Sequence, residues 1–196
     1  IMLNPASSPY YEETKRQAVK ALNTYPGGMQ IGGGINAENA EEFLQAGASH
    51  VIVTSYVFKD GKISYENLEK LRKAVGAERL VLDLSCKKRG DLYYIVTDRW
   101  QKFTEVPVTL ETLRELGGYC SEYLVHAVDA EGKARGIETE LVKLLAEYAE
   151  RPVTYAGGVG NFQDLKELKE HGCGRVDVTV GSALDLFGGP LLFTEI

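Results

Sequence analysis

Glycine pairs that stand between an apolar run and a helical segment occur twice in the chain. Each pair is followed by a second apolar run that ends on a hydroxyl residue. Glycine at a strand end lets a phosphate approach backbone N–H groups, and the N-terminus of the following helix favours an anion. The pattern therefore predicts two phosphate sites. Their residues are Gly33, Gly34, Thr54 and Ser55 in the first copy and Gly157, Gly158, Gly181 and Ser182 in the second.

A simple turn is the alternative for each glycine pair, because Gly-Gly often connects a strand to a helix without binding a ligand. The second copy also contains Asn161, which is suited to cap the helix behind the glycines. Repetition of the whole unit, including the strand that follows, favours the phosphate interpretation over the turn.

One carboxylate interrupts the apolar run over residues 79–86, whose composition is typical of a parallel strand covered on both faces. Asp83 is the only charged residue in this run after Arg79. The period of two predicts an inward direction for its side chain, near the carboxyl end of the strand. A carboxyl group in that place can exchange protons with a substrate, and a structural carboxylate is the alternative. Asp177 is a weaker candidate, since it begins its strand.

A long connection follows this strand, from Lys87 to about Val108, where βα units usually have about 2–6 residues. It is basic at its start and carries Trp100, the only tryptophan of the chain. Long segments at the carboxyl ends of strands often cover substrates, so the prediction is a substrate lid that carries Trp100. A solvated hairpin with a packed tryptophan is the alternative.

The composition excludes several classes of function. The 196 residues are 44% hydrophobic, which is enough for a substantial core. The 22 basic and 28 acidic residues give a net charge of −6, and the scattered basic residues make nucleic acid or an anionic membrane an unexpected partner. Three cysteines without a C-x-x-C pair argue against a disulfide framework and a structural zinc site. Because we find no membrane span and no signal peptide, we expect a cytoplasmic protein. We also expect a monomer.

The elements that must position these residues alternate between strands and helices. Ile1 to Leu3 are interpreted as the end of a strand, and six further strands alternate with helices. This alternation indicates an α/β protein of parallel βα units, and the repeated glycine unit favours a (β/α)8 TIM barrel over an open sheet. We expect one barrel domain over residues 1–196. Because such barrels usually take about 250 residues, the first βα unit, most of the second strand and the last helix are expected to be missing.

A series of short motifs runs along the chain. Each is weak alone, but their number, order and spacing resemble the phosphoribosylformimino-5-aminoimidazole carboxamide ribotide isomerases of histidine biosynthesis, and in particular the eukaryotic-type branch. The match covers essentially the whole chain. The motifs are Gly32-Gly33-Gly34-Ile35-Asn36, Val53-Thr54-Ser55, Val81-Leu82-Asp83-Leu84-Ser85-Cys86, Trp100-Gln101, Val125-His126-Ala127, Tyr155-Ala156-Gly157-Gly158 and Gly181-Ser182-Ala183-Leu184-Asp185.

This resemblance implies a metal-free and cofactor-free Amadori rearrangement, in which the aminoaldose ProFAR opens and becomes an aminoketose. The small-molecule substrate carries a phosphate at each end, in agreement with the two predicted phosphate sites. Family members use an aspartate on the first strand and another on the fifth as base and acid. Asp83 matches the fifth-strand residue, whereas the first-strand residue has no counterpart in this sequence. Trp100 is expected to stack on the imidazole ring of the substrate.

One position departs from the family pattern, and two other functions stay open. Many bacterial members have threonine where this chain has Ala127, so an assisting hydroxyl is lost there. His126 and Asp129 are candidates to compensate, and a structural role is the alternative for both. The related cyclase subunit of imidazole glycerol phosphate synthase shares the barrel and both phosphate sites, although the Asp-Leu-Ser-Cys and Trp-Gln motifs favour the isomerase. A non-catalytic barrel fragment that binds sugar phosphates is the third interpretation.

Overall fold

The computed structural model describes residues 1–130, 136–148 and 150–196. The chain divides into two compact units. Unit 1 comprises Ile1–Asp83 and Gly118–Ser121, and unit 2 comprises Leu84–Gly117 and Glu122–Ile196. The single barrel domain over residues 1–196 stays a prediction.

Unit 1 is built on parallel strands with helices between them. Strands β1 and β2 pair in parallel, β2 pairs in parallel with β5, and Met2 forms a parallel bridge to the other side of β1. In chain order the elements are α1 (Tyr11–Thr24), β1 (Gln30–Gly32), α2 (Ala40–Gln45), β2 (His50–Val53), β3 (Phe58–Lys59), β4 (Lys62–Ile63), α3 (Tyr65–Val75) and β5 (Leu80–Asp83).

Helix α3 shows how the sequence of unit 1 determines its structure. The hydroxyl of Ser64 accepts a hydrogen bond from the backbone N–H of Asn67, which caps the first turn. Leu68 and Leu71 recur at helical spacing and are completely buried. A capping hydroxyl and the spacing of the leucines, both local features of the sequence, thus account for this helix.

Unit 2 combines an antiparallel sheet with a second set of parallel βα units. Strands β6, β7 and β8 are antiparallel, while β10 pairs in parallel with both β9 and β11. In chain order the elements are β6 (Cys86–Arg89), β7 (Leu92–Thr97), β8 (Lys102–Pro107), α4 (Leu110–Leu116), β9 (Glu122–His126), α5 (Thr139–Glu147), β10 (Val153–Ala156), α6 (Phe162–His171) and β11 (Val176–Thr179).

Two expectations for residues 79–108 were wrong. The strand predicted over 79–86 ends at Asp83, and β6 begins at Cys86 with a new antiparallel ladder to β7. The segment after it is a three-stranded antiparallel sheet and not a loop. The hairpin alternative was therefore nearer to the structure, except that Trp100 is exposed and not packed. Trp100 lies in the turn between β7 and β8.

Parallel strands that alternate with helices in both units confirm the predicted α/β class and are consistent with an incomplete (β/α)8 barrel. The predicted cap of the last long helix is also confirmed. Asn161 and Asp164 form a reciprocal capping box at the start of α6, in which each side chain accepts from the backbone N–H of the other.

Candidate active site

A cavity in unit 2 brings together the residues predicted for the second phosphate site. It has a volume of about 470 Å³ and lies at the carboxyl ends of β10 and β11, with His126 from the end of β9 in its wall. Neighbouring parallel strands end at the same edge of a sheet, which explains why these loops meet. The lining includes Gly157, Gly158, Gly181 and Ser182.

Close packing requires two of these glycines, independently of any ligand. A Cβ on Gly157 would lie 2.7 Å from the carbonyl oxygen of Ala127, and a Cβ on Gly158 would lie 2.1 Å from that of Gly136. Both glycines also have positive φ angles, of 117° and 78°. Gly181 differs, since a Cβ there meets nothing within 4 Å and its φ is not in the left-handed region. Gly181 therefore tests ligand approach without a packing defect.

The start of α6 already uses two of its own amide groups. The carboxylate of Asp164 accepts hydrogen bonds from the N–H of Gly160 at 2.7 Å and of Asn161 at 3.2 Å. These donors are therefore engaged in the cap. A phosphate in the cavity would have to find its donors among the glycine loop before them and at Gly181 and Ser182.

Trp100 contacts His126 at the wall of this cavity. The two rings are edge-to-face, with centroids 5.0 Å apart and an interplanar angle of 87°. The side chain of Trp100 is 39% exposed, so it is not packed in a core. Its turn is strained, because Asp98, Arg99 and Trp100 have φ angles of 51°, 55° and 68°, which non-glycine residues rarely adopt.

Asp129, the second candidate helper, is exposed and bound to the antiparallel sheet. Its carboxylate accepts a hydrogen bond of 3.1 Å from the backbone N–H of Lys88 in β6. The preceding residue, Val128, also binds the sheet, since its N–H donates to the carbonyl of Cys86. This bond fits the structural alternative for Asp129, and His126 is the candidate helper that lines the cavity.

The first glycine pair, Gly33 and Gly34 in unit 1, differs from the second in its packing and in where the next helix begins. A Cβ on Gly33 would lie 2.6 Å from the carbonyl oxygen of Leu3, whereas a Cβ on Gly34 meets nothing within 4 Å. Helix α2 begins only at Ala40, because a turn capped by the side chain of Asn36 intervenes. The helix N-terminus is therefore further from the glycines than in the second copy.

Asp83 and Thr54 lie together at the ends of neighbouring strands in unit 1. The hydroxyl of Thr54 donates a hydrogen bond of 2.8 Å to Oδ2 of Asp83, whose side chain is buried with 8% exposure. Ser55, the next residue, is exposed. The sequence pattern assigned both hydroxyl groups to one phosphate, but that of Thr54 is bonded to a buried carboxyl group while Ser55 is exposed.

A polar chain that no sequence pattern predicted connects β7 to β10. The hydroxyl of Tyr93 donates to Oε2 of Glu138 at 2.8 Å, and the N–H of Glu138 donates to the hydroxyl of Tyr155 at 2.9 Å. Burial, and then the hydrogen bond to Glu138, raises the pKa of Tyr93 well above its usual value. Tyr155 immediately precedes the cavity residues Ala156 and Gly157. No spacing rule in the sequence connects these tyrosines.

These features define a class of protein: an α/β protein with candidate anion sites at glycine loops after its parallel strands. Within the part of the chain that the structure describes, no helix is long and apolar enough to cross a bilayer. A family model described as "Histidine biosynthesis protein" matches residues 6–189, and the chain belongs to this family.

Curated relatives of this chain carry a more specific name than the family model. The chloroplastic 1-(5-phosphoribosyl)-5-((5-phosphoribosylamino)methylideneamino)imidazole-4-carboxamide isomerase of Medicago truncatula is 52% identical over 93% of this chain and 59% of the relative. Isomerases of the same name are 44% identical in Neurospora crassa, over 96% of this chain and 72% of the relative, and in Saccharomyces cerevisiae, over 91% and 70%. The chain thus spans 59% of the length of the Medicago relative.

Proposed function

We propose that this chain belongs to an isomerase that converts the aminoaldose ProFAR to its aminoketose by general acid–base catalysis. The observation that carries the proposal is the identity of 52% and 44% to relatives named as this isomerase, over more than nine-tenths of the chain. Those relatives are named as the isomerase and not as the cyclase, which supports the first interpretation over its closest rival.

Asp83 is proposed as the general acid of this reaction. It donates a proton to the ring oxygen of the ribose, so that the bond from C1 to this oxygen breaks and an imine forms. A base then removes the proton from C2 of the protonated imine, which gives an enol. Return of this proton to C1 and transfer of the C2 hydroxyl proton to the Asp83 carboxylate give the aminoketose and restore both groups. In the family that the chain resembles, the base is an aspartate on the first strand, and no residue of this chain matches it. Each such proton transfer typically contributes about 10²–10⁴-fold in rate.

The two phosphates of the substrate match the two glycine sites in number. In unit 1 we assign one phosphate to Gly33, Gly34 and Ser55, supported by the open space beside Gly34. The second site is the cavity of unit 2, with ligands at Gly157, Gly158, Gly181 and Ser182.

Trp100 and His126 are proposed to act on the middle of the substrate. Trp100 would leave its contact with His126 and stack on the imidazole ring, which its exposure and its strained turn support. His126 lines the cavity and is the preferred helper in place of the threonine that is absent at Ala127.

A monomer that binds neither nucleic acid nor membranes stays a prediction from the sequence. The cytoplasmic location stays a prediction too, because the Medicago relative is named as a chloroplastic protein.

Assays of both reactions on the full-length protein test this proposal. We expect turnover of the aminoaldose, no cyclase activity, and the same isomerase rate after dialysis against EDTA, since the residues invoked need no metal. Cyclase activity would instead identify the rival enzyme. Binding of inorganic phosphate without turnover of either substrate would identify a non-catalytic barrel.

A further inference from the structure

We infer that Thr54 is a positioning residue that orients the carboxylate of Asp83, and not a ligand of the substrate phosphate. This inference rests on the proposed role of Asp83 as the acid. It separates Thr54 from Ser55, although the sequence pattern placed both at one phosphate site.

The fold brings the two residues together through a parallel ladder. Thr54 follows the last residue of β2, and Asp83 is the last residue of β5. Because Val53 pairs with Leu82 in this ladder, the next residue on each strand lies at the same edge of the sheet. The 2.8 Å bond from Thr54 Oγ1 to Asp83 Oδ2 follows from this register.

A proton count excludes donation to both partners at once. The threonine hydroxyl has one proton, and both the unprotonated oxygen of a carboxyl group and a phosphate dianion accept hydrogen bonds. While Thr54 donates to Asp83, it has no proton for a phosphate oxygen. The exposed hydroxyl of Ser55 is the better phosphate ligand of the two.

Orientation is the chemical consequence of this bond. A donor fixed to one carboxylate oxygen restrains rotation about the Cβ–Cγ bond and thereby sets the direction of the other oxygen. Reacting groups must be aligned within small tolerances for efficient proton transfer. Loss of the hydroxyl should therefore slow turnover without changing how the substrate phosphates are held.

Kinetics of three variants of the full-length protein test the inference. Thr54→Val removes the hydroxyl at nearly constant volume, and we expect kcat to fall about 10-fold while KM changes by less than about 2-fold. Thr54→Ser restores the donor and should recover most of kcat. Ser55→Ala should show the opposite pattern, in which KM rises about 10-fold while kcat stays nearly unchanged. If Thr54→Val raises KM as Ser55→Ala does and leaves kcat unchanged, Thr54 is a phosphate ligand and the inference is wrong.

A spectroscopic measurement separates this inference from the proposed function. The carboxyl ¹³C resonance of Asp83 should move in Thr54→Val and return in Thr54→Ser, whether or not Asp83 is the acid. An unmoved resonance overturns the inference. A moved resonance together with full activity of Asp83→Asn would instead show that the bond exists but that the proposed acid is wrong, and the positioning role would fail with it.

Discussion

The indole ring of Trp100 lies edge-to-face against the imidazole of His126, with the ring centroids 5.0 Å apart. His126 also lines the cavity formed by the second glycine loop. The contact therefore places the exposed tryptophan of the antiparallel sheet beside a candidate phosphate site. This placement could not be deduced from the spacing of the two residues in the sequence.

Substrate should change the environment of Trp100. Because Trp100 is the only tryptophan, the protein's indole fluorescence reports on this residue alone. We expect a clear change of emission when the aminoaldose is added, and a much smaller change with inorganic phosphate, which has no ring to stack on. Trp100→Ala should raise KM by roughly 2- to 10-fold, since stacking contributes about 0.5–1.5 kcal/mol. Emission that does not respond to the substrate would remove Trp100 from the site.

Three glycine-to-alanine variants should separate ligand approach from packing. Gly181→Ala has open space for its Cβ, so we expect normal stability and a roughly 10-fold weaker affinity for inorganic phosphate, about 1.4 kcal/mol. Gly158→Ala should lose about 1–3 kcal/mol of stability, because its Cβ would collide with the carbonyl oxygen of Gly136. Gly118→Ala, at an equally open position in unit 1, is the matched control and should change neither property.

For each glycine variant, calorimetric titration with phosphate gives the phosphate affinity, and urea unfolding gives the stability. Equal phosphate affinity in Gly181→Ala and Gly118→Ala would contradict the assignment of the cavity as a phosphate site. Unchanged stability of Gly158→Ala would instead contradict its close packing against Gly136.

Tyr93 should make stability depend on alkaline pH. Its pKa is raised by burial and by the bond to Glu138, so the folded state keeps the phenol protonated where the unfolded chain, with a pKa of about 10, loses the proton. The stabilisation is therefore complete below about pH 10 and falls as the pH rises further. Tyr93→Phe should be less stable than the parent by about 1 kcal/mol at pH 7, and this difference should shrink above about pH 10.

Urea unfolding of the parent and of Tyr93→Phe, at pH 7 and again above about pH 10, measures this difference in stability. Tyr94→Phe is the control, because it keeps the ring on which Arg89 stacks at 3.9 Å and should change stability by less than about 0.5 kcal/mol at either pH. A difference between parent and Tyr93→Phe that does not depend on pH would show that Tyr93 titrates normally.

Local signals in the sequence predicted much of this fold. The Asn161 cap and the two glycine loops are each encoded within a few residues, where helix and turn rules apply. They were therefore found in nearly the right places, together with the parallel βα order.

Contacts between distant residues explain what the sequence did not reveal. Thr54 and Asp83 are 29 residues apart, and Tyr93 and Glu138 are 45 apart, so no periodicity connects either pair. The sheet of β6, β7 and β8 was predicted as a loop because only one of its strands has a strong β composition. Its stability depends on cross-strand pairing, which single-segment propensity does not contain.

The kcat of Asp83→Asn in the full-length protein tests the proposed mechanism most directly. The amide keeps the size of the carboxyl group and can still accept the hydrogen bond from Thr54, but it cannot exchange a proton with the substrate. A melting curve of the variant checks that it is folded. We predict that substrate affinity is retained while kcat falls by about two to four orders of magnitude. A folded Asp83→Asn protein with a kcat close to that of the parent would contradict the assignment of Asp83 as the acid.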